Sequence, residues 1–292
     1  MDNAAACRTI KVLDTNGFDI IRESSDCNAH QSARKFFDEM TKSDVLVETG
    51  NTASPRPKDS AHVGTGFFVN NGDEIVTNAH VAAIDSFVDV YTNDGKMYHA
   101  KIEKLDTEND LALLKVIGLE PDPTRALKPA TSDGLQKYDE LISFGHPGGD
   151  DDIVVSPGVY LNRDTLEKQV GDPERFPDLK AMIKLGNETR DRVLAKEIHD
   201  YLNSERLHAR MNIHHANSGS PMINDKGELK GVVANRISAA HSLMIPAEKV
   251  KSLLDSPERR FKFDYETDAN GNQKLIGIRR ADGSNTPPVI LK

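Results

Sequence analysis

Three short segments of the chain carry the side chains that acyl transfer on a serine requires. They are Thr77-Asn78-Ala79-His80-Val81, Asp110-Leu111-Ala112-Leu113-Leu114 and Asn217-Ser218-Gly219-Ser220-Pro221. A hydroxyl is a poor nucleophile at neutral pH, so a serine needs a base that takes its proton and an acid that orients the base. The sequence therefore predicts His80, Asp110 and Ser218 as a catalytic set.

In this order the three segments resemble those of the trypsin-like serine peptidases and, more closely, of their Deg or high-temperature-requirement (HtrA) branch. Members of that branch have the motif T-N-x-H-V around the base, D-x-A-L-L around the acid and G-N-S-G-G-P around the nucleophile. Further matches are Gly64-Thr65-Gly66-Phe67-Phe68-Val69, Phe144-Gly145-His146-Pro147-Gly148, Gly231-Val232-Val233 and Met244-Ile245-Pro246. The resemblance spans roughly residues 44–254. The nucleophile segment ends in Ser-Gly-Ser-Pro, which is also similar to the glutamyl endopeptidases. The subfamily is therefore less secure than the superfamily.

The resemblance implies a mainly β fold of two antiparallel six-stranded barrels with the site between them, and endopeptidase activity on proteins or peptides. It also implies an oxyanion hole made by the backbone N–H groups of Ala216 and Ser218, with Asn217 between them. The family has glycine where this chain has Ala216. At positive φ an alanine costs about 1 kcal/mol, whereas a misoriented donor costs about 2.7–4 kcal/mol. The alternative is therefore a relative that binds peptides without efficient turnover.

Two stretches are predicted, by the matched motifs, to line the pocket for the side chain before the scissile bond. They are Asn212, Ile213, His214, His215 and Ala234, Asn235, Arg236. Ile213 and Val233 favour a small or medium aliphatic side chain, whereas Arg236 or His215 could receive an acidic one. Val233 replaces the histidine that binds glutamate in the glutamyl endopeptidases, which argues against that specificity.

Short β runs must position these residues. In the first half of the chain they fall at residues 43–48, 66–70, 74–78, 88–92, 97–105 and 112–116, separated by turns such as Asn71-Gly72 and Asp94-Gly95. Such regular spacing without long helices predicts an antiparallel barrel over about 44–125. Residues 120–129 would cross to a second barrel over about 135–254.

A helical insert over residues 162–208 is predicted to interrupt the second barrel, after two strand-like runs at 153–155 and 158–161. One helix would cover residues 176–185. A second would follow Asn187 as its N-cap and bury one face, made of Val193, Leu194, Ile198, Tyr201 and Leu202. In the Deg family the equivalent loop senses activators, so we hypothesise that the insert regulates the cleft. The alternative is an insert that packs away from the chemistry.

The two ends of the chain are predicted to form small extensions. Residues 1–43 would hold a hairpin with strands at 9–13 and 18–21 and a helix over 31–41, which in the family often contributes to trimer contacts. Closure of one barrel end by this helix is the alternative. Cys7 and Cys27 would form a disulfide in an oxidising compartment or remain free thiols. After a helix over 246–256, residues 255–292 would form a hairpin around Asn270-Gly271, too short for a PDZ domain.

Composition excludes several partners. The formal charge is −9 and no basic run exceeds two residues, so nucleic acid is not expected. No apolar run approaches the roughly 20 residues of a membrane span. His214 and His215 lack a cysteine or carboxylate at ligand spacing, so neither a metal nor a cofactor is predicted.

Residues 1–7 lack a signal-peptide core. The protein is either cytosolic or, as the resemblance and the paired cysteines favour, periplasmic or secreted after removal of a signal.

Overall fold

The computed structural model describes residues 11–13, 19–21, 42–50, 62–83, 87–149, 153–257 and 260–290. The predicted helix over 31–41 and both cysteines lie outside these ranges. Two closed six-stranded antiparallel barrels dominate the described chain, which confirms the predicted fold class. None of its helices combines the length and hydropathy that a bilayer crossing requires.

Barrel 1 contains six strands in the order β3-β4-β5-β8-β7-β6. They are β3 (Asp44–Gly50), β4 (His62–Val69), β5 (Glu74–Asn78), β6 (Phe87–Thr92), β7 (Met97–Asp106) and β8 (Leu111–Val116). Alternate residues point inward, so that Val45, Val47, Ile75 and Leu114 fill the barrel. A four-residue helix, α1 (Ala79–Ala82), follows β5.

Barrel 2 closes in the order β10-β9-β12-β13-β14-β11. Its strands are β9 (Glu140–Gly145), β10 (Val154–Thr165), β11 (Glu205–Met211), β12 (Pro221–Ile223), β13 (Leu229–Ser238) and β14 (His241–Pro246). The two runs predicted at 153–155 and 158–161 are one continuous strand. Pro157 lies within it, because the fixed φ of proline is compatible with an extended chain. Outside the barrel, β1 (Lys11–Leu13) pairs with β10, and β2 (Asp19–Ile21) pairs with β1.

The two barrels share a buried apolar interface. Barrel 1 contributes Phe67 and Leu113 to it, and barrel 2 contributes Phe144 and Val232. Helix α5 (Ala247–Asp255) covers the interface with Val250 and Leu253. This packing fixes the position of one barrel against the other and thereby defines the cleft between them.

The helical insert occupies the chain between β10 and β11. It contains α2 (Leu166–Val170), α3 (Pro177–Glu188) and α4 (Arg192–Leu202). The predicted N-cap at Asn187 is wrong, because this residue lies inside α3. Helix α4 begins after Asp191, whose carboxylate accepts hydrogen bonds from the N–H groups of Val193 and Leu194 at 2.9 and 3.2 Å, as an N-cap does. Val193 is exposed rather than buried.

The C-terminal residues connect barrel 1 to the insert. Strands β15 (Phe261–Thr267) and β16 (Gln273–Arg280) form a hairpin, and Phe261 joins the core of barrel 1. Beyond the hairpin, residues 281–290 form a tail that contacts α4. Thr286 Oγ1 donates to Asp191 at 2.6 Å, and Arg280 pairs with Glu197 at 2.5 Å. The tail and the end of β16 thus hold the insert at its outer face.

Candidate active site

His80 and Asp110 are brought together by pairing between β5 and β8. His80 is on α1, directly after β5, and Asp110 directly precedes β8, with Asn78 opposite Leu111. The imidazole Nδ1 lies 2.8 Å from Asp110 Oδ2, and the His80 backbone N–H donates to Asp110 Oδ1 at 3.0 Å. The Asp110 carbonyl accepts from the backbone N–H of Ala79 at 3.1 Å. Both carboxylate oxygens of Asp110 are therefore engaged by one residue.

The contact with Asp110 sets the protonation chemistry of His80. Burial lowers the pKa of the imidazole, but the charge of Asp110 and its hydrogen bond outweigh burial, and the net pKa lies above its usual value near 6.5. A proton on Nδ1, shared with Asp110, leaves the lone pair of Nε2 free to accept a proton. The pair can therefore act as a general base.

Ser218 lies in the loop between β11 and β12, which barrel 1 holds in place. Thr65 N–H donates to the Ser218 carbonyl at 2.8 Å. Gly219 follows with φ of 91°, and a Cβ at this position would lie 1.9 Å from the Thr65 carbonyl oxygen, so only glycine fits. Ser218 Oγ donates to the Ala234 carbonyl at 3.3 Å. No hydrogen bond joins Ser218 to His80 in the described structure, although both line one cavity.

Two backbone N–H groups beside Ser218 are available for an anion. Those of Ala216 and Ser218 have no acceptor among the described residues, whereas Asn217 N–H donates to the His214 carbonyl at 3.2 Å. Gly148 N–H donates to the His215 carbonyl at 2.8 Å. Because C=O and N–H point oppositely across a trans peptide, this bond turns the Ala216 N–H away from Gly148. Ala216 has φ of 73°, a left-handed conformation that costs an alanine about 1 kcal/mol.

Thr65 connects this loop to barrel 1 through its side chain as well. Its Oγ1 donates to the Ala216 carbonyl at 2.9 Å and accepts from the His146 N–H at 3.1 Å. His146 Nε2 lies 3.6 Å from the carboxylate of Asp44, and both residues are buried. Burial raises the pKa of Asp44 well above its usual range. The Thr65 hydroxyl thus joins the candidate oxyanion hole to the backbone of His146, whose side chain lies beside the buried Asp44.

A cavity of about 520 Å³ connects the candidate catalytic residues with the insert. Of the predicted site residues it is lined by His80, Ile213, His214, His215, Ser218, Ala234, Asn235 and Arg236. Asp110, Ala216 and Asn217 are buried beside it. Asn212 was predicted to line the pocket, but it is buried and does not, because the pocket wall begins at Ile213.

The insert supplies a wall of the cavity that the sequence motifs did not indicate. Leu166, Phe176 and Leu179 line it, together with Tyr201 and Arg175. Tyr201 was predicted as a buried residue on one face of a helix, and it is 2% exposed. That this face borders the cleft depends on how the insert docks, which local periodicity does not determine. Thr65 could have been noticed, since it lies in the matched segment Gly64-Thr65-Gly66.

Comparison with known proteins identifies the class. Residues 64–232, more than half of the chain, match the family model described as a trypsin-like peptidase domain. The chain therefore belongs to the trypsin-like peptidases. It is 28% identical over 217 residues to serine protease HTRA1B of Danio rerio, covering 74% of this chain and 38% of that protein. It is 29% identical over 217 residues to the putative serine protease HhoB of Synechocystis, covering 73% and 44%.

These relatives confirm the resemblance to the HtrA branch, and the chain spans less than half of their length. Two solved structures share the fold. The Rv3671c protease from M. tuberculosis in its active form has a TM-score of 0.55 at 22% identity, covering 76% of this chain and 85% of that one. Deg5 has a TM-score of 0.53 at 20% identity, covering 76% and 92%.

The dependence of His80 on Asp110 is testable by titration. In Asp110→Asn the negative charge is lost while burial remains, so the pKa of His80 is expected to fall below that of the wild type. NMR of ¹⁵N-labelled imidazoles measures both midpoints. His208, which contacts His241 instead, is the internal control and should not move. An unchanged His80 midpoint would contradict the assignment.

Proposed function

We propose that the chain is a serine endopeptidase that hydrolyses peptide bonds of protein substrates with His80, Asp110 and Ser218. One observation carries the proposal: a hydrogen-bonded His–Asp pair and a serine line or adjoin one cavity, beside two backbone N–H groups that have no acceptor in the described part of the chain. These are the base, orienting acid, nucleophile and anion site that acyl transfer needs.

The mechanism follows from this arrangement. Ser218 Oγ leaves the Ala234 carbonyl, gives its proton to His80 Nε2 and attacks the substrate carbonyl carbon. The N–H groups of Ala216 and Ser218 hold the negative oxygen that forms. Collapse of the intermediate breaks the C–N bond, and His80 returns the proton to the leaving amine. A water that gives a proton to His80 then attacks the acyl-enzyme. The bond from the acyl carbon to Ser218 Oγ breaks, His80 returns the proton to Oγ, and the acid is released.

A second candidate function is peptide binding without efficient turnover. The positive φ of Ala216 favours it, because the chain uses a residue that strains this conformation where glycine would not. The bond from Gly148 to the His215 carbonyl fixes the peptide that carries the Ala216 N–H, which is compatible with either function. A strain of about 1 kcal/mol is smaller than the roughly 2.7–4 kcal/mol that one working donor supplies, so we prefer the enzyme.

We further propose cleavage after small or medium aliphatic residues. Ile213 lines the cavity and is 3% exposed. Val233, the other residue on which this preference was based, is fully buried and belongs to the same core cluster as Ile213. An apolar lining of this kind gains roughly 25 cal/mol for each Å² of apolar substrate surface that it covers.

The same wall of the cavity supports regulation by the insert. Phe176, Leu179 and Tyr201 line the space beside His80, so a shift of α3 or α4 changes the volume open to substrate. The outer face of α4 is held by Arg280 and the tail. A partner that displaces the tail would therefore alter the cleft without touching the catalytic residues.

The setting of the protein is proposed from family resemblance alone. We place it in the periplasm or outside the cell, as a homo-oligomer, with the trimer as the first candidate. Cell fractionation and the mass in solution test these two points.

Labelling by a fluorophosphonate probe tests the proposed activity. The wild-type protein should be labelled and should hydrolyse casein, because the probe reacts only with a serine activated by its base. Ser218→Ala should lose both signals, whereas Ser220→Ala should keep the labelling. An unlabelled wild-type protein that still binds peptides would favour the second candidate.

Replacing Thr65 tests the connection between the barrels. Thr65→Val keeps the shape but removes the hydroxyl that holds the Ala216 carbonyl, so kcat should fall about ten- to a hundredfold through displaced oxyanion donors. Thr65→Ser retains the hydroxyl and should stay near the wild-type rate. Steady-state kinetics on one peptide compare them. Equal rates for the two variants would contradict this role.

The role of the tail is tested by Glu197→Gln. Loss of the charge that pairs with Arg280 should loosen α4 and raise KM several-fold, because the wall of the cavity becomes less ordered. Amide exchange in residues 192–202 should accelerate in parallel. Glu188→Gln, at the exposed end of α3, is the matched control. If exchange accelerates while KM stays constant, the insert does not shape the cleft.

A further inference from the structure

The cavity that His80 and Ser218 line has an apolar patch where the insert meets barrel 2. The patch consists of Val170 at the end of α2, Phe176 just before α3 and Ile237 near the end of β13. All three side chains are half-buried, and they come from separate elements to line one space. Apolar surface that remains open inside a cavity is the kind that a bound apolar group covers.

A buried core holds the apolar patch in place. Leu166, Leu179 and Tyr201 belong to one apolar cluster with Leu243 of β14, and the three residues of the patch pack against this cluster. The cluster therefore attaches the insert to barrel 2 directly behind the patch. A surface supported in this way needs little ordering when a ligand binds, which lowers the entropic cost of binding.

The charges around the apolar patch favour neither sign. Arg175 and Arg236 line the cavity, and so does Asp178. Asp110 is buried beside the same cavity. Two cations thus stand against two anions, and a charged side chain that left water for the apolar patch would lose hydration without gaining a dedicated partner. Selection at the patch therefore depends on apolar contact.

The apolar patch extends away from the point of cleavage. Ser218 Oγ donates to the carbonyl of Ala234 at 3.3 Å, and Ile237 is further along the same strand, β13. A strand advances about 3.3 Å per residue, which places Ile237 about 10 Å beyond Ala234. An extended substrate covers this distance in two or three residues. The patch is therefore too far along the cleft to serve only the residue at the cleaved bond.

We propose that the apolar patch receives a second side chain of the substrate, a large apolar one such as phenylalanine or leucine, two or three positions from the cleaved bond. The cavity of about 520 Å³ is in the size range that holds drug-sized ligands, so it accommodates this side chain together with a smaller aliphatic one at the cleavage point. The inference deepens the proposed function and rests on it, in that a substrate peptide occupies this cleft.

Matched peptides provide the test. Each carries the same aliphatic residue at the cleavage point and has phenylalanine, leucine, alanine or glutamate at each other position in turn. At one position, two or three residues from the cleaved bond, phenylalanine and leucine should exceed alanine in kcat/KM about tenfold, because the patch covers their additional apolar surface. Glutamate should not exceed alanine at that position.

Variants of the apolar patch assign the preference to it. Phe176→Ala removes the ring and should reduce the ratio of phenylalanine to alanine toward one, whereas Phe176→Leu should keep most of it. Val170→Thr keeps the shape of a half-buried side chain and adds a hydroxyl, so it should lower the ratio about threefold without endangering the fold. Phe263→Ala is the matched control, since this half-buried phenylalanine lies on β15 outside the cavity. It should leave the ratio unchanged.

Binding separates this inference from the proposed function. Fluorescence anisotropy of the same peptides on Ser218→Ala should show the preference for phenylalanine and leucine even if the wild type hydrolyses nothing. Labelling of the wild type by the probe, together with equal binding of the phenylalanine and alanine peptides at every position, would overturn the second side-chain site and leave the peptidase intact. A preference that survives both Phe176→Ala and Val170→Thr would belong to another part of the cleft and would also overturn it.

Discussion

The hydrogen bonds of Thr65 are the constraint on which the site depends. This one residue of barrel 1 binds the carbonyl of Ser218 with its N–H and the carbonyl of Ala216 with its hydroxyl. Its own carbonyl accepts from Thr77 Oγ1 at 2.7 Å and leaves room only for a glycine at position 219. The base and the acid belong to barrel 1, so the nucleophile can meet them only if its loop is attached to the same barrel. Apolar packing between the barrels places the Ser218 loop approximately, and these directional hydrogen bonds fix its final position.

The conformation of Ala216 is maintained by its neighbours. Its own preference opposes a φ of 73° by about 1 kcal/mol, but the carbonyls on either side are both hydrogen-bonded, to Gly148 and to Thr65. Each such bond contributes about 1 kcal/mol net, so the two together exceed the strain. Asp44 and His146 lie behind Thr65 as a buried pair. The candidate oxyanion site is therefore held by parts of both barrels rather than by the residue that forms it.

Much of the first barrel could be predicted because its signals are local. The β run predicted at 74–78 matches β5 at both ends, and the segments around His80 and Asp110 lie where the paired strands bring them together. The details of the insert were harder to predict from the sequence. Asn187 and Asp191 are both residue types that cap helices, and in the structure Asp191 caps α4 and also accepts from Thr286 of the tail. Tyr201 and Arg206 gave no sign of a shared environment, since a helix face and a strand residue meet only after docking. The two runs predicted at 153–155 and 158–161 belong to one long strand.

The attachment of the tail has a mechanical meaning. Residues beyond β16 are fastened to α4 through Thr286 and, by the end of that strand, through Arg280, whereas the barrels are each closed rings of hydrogen-bonded strands. A load applied to the last described residues would therefore reach the helix that walls the cleft before it strained either ring. Pulling on this end would deform the substrate cavity first.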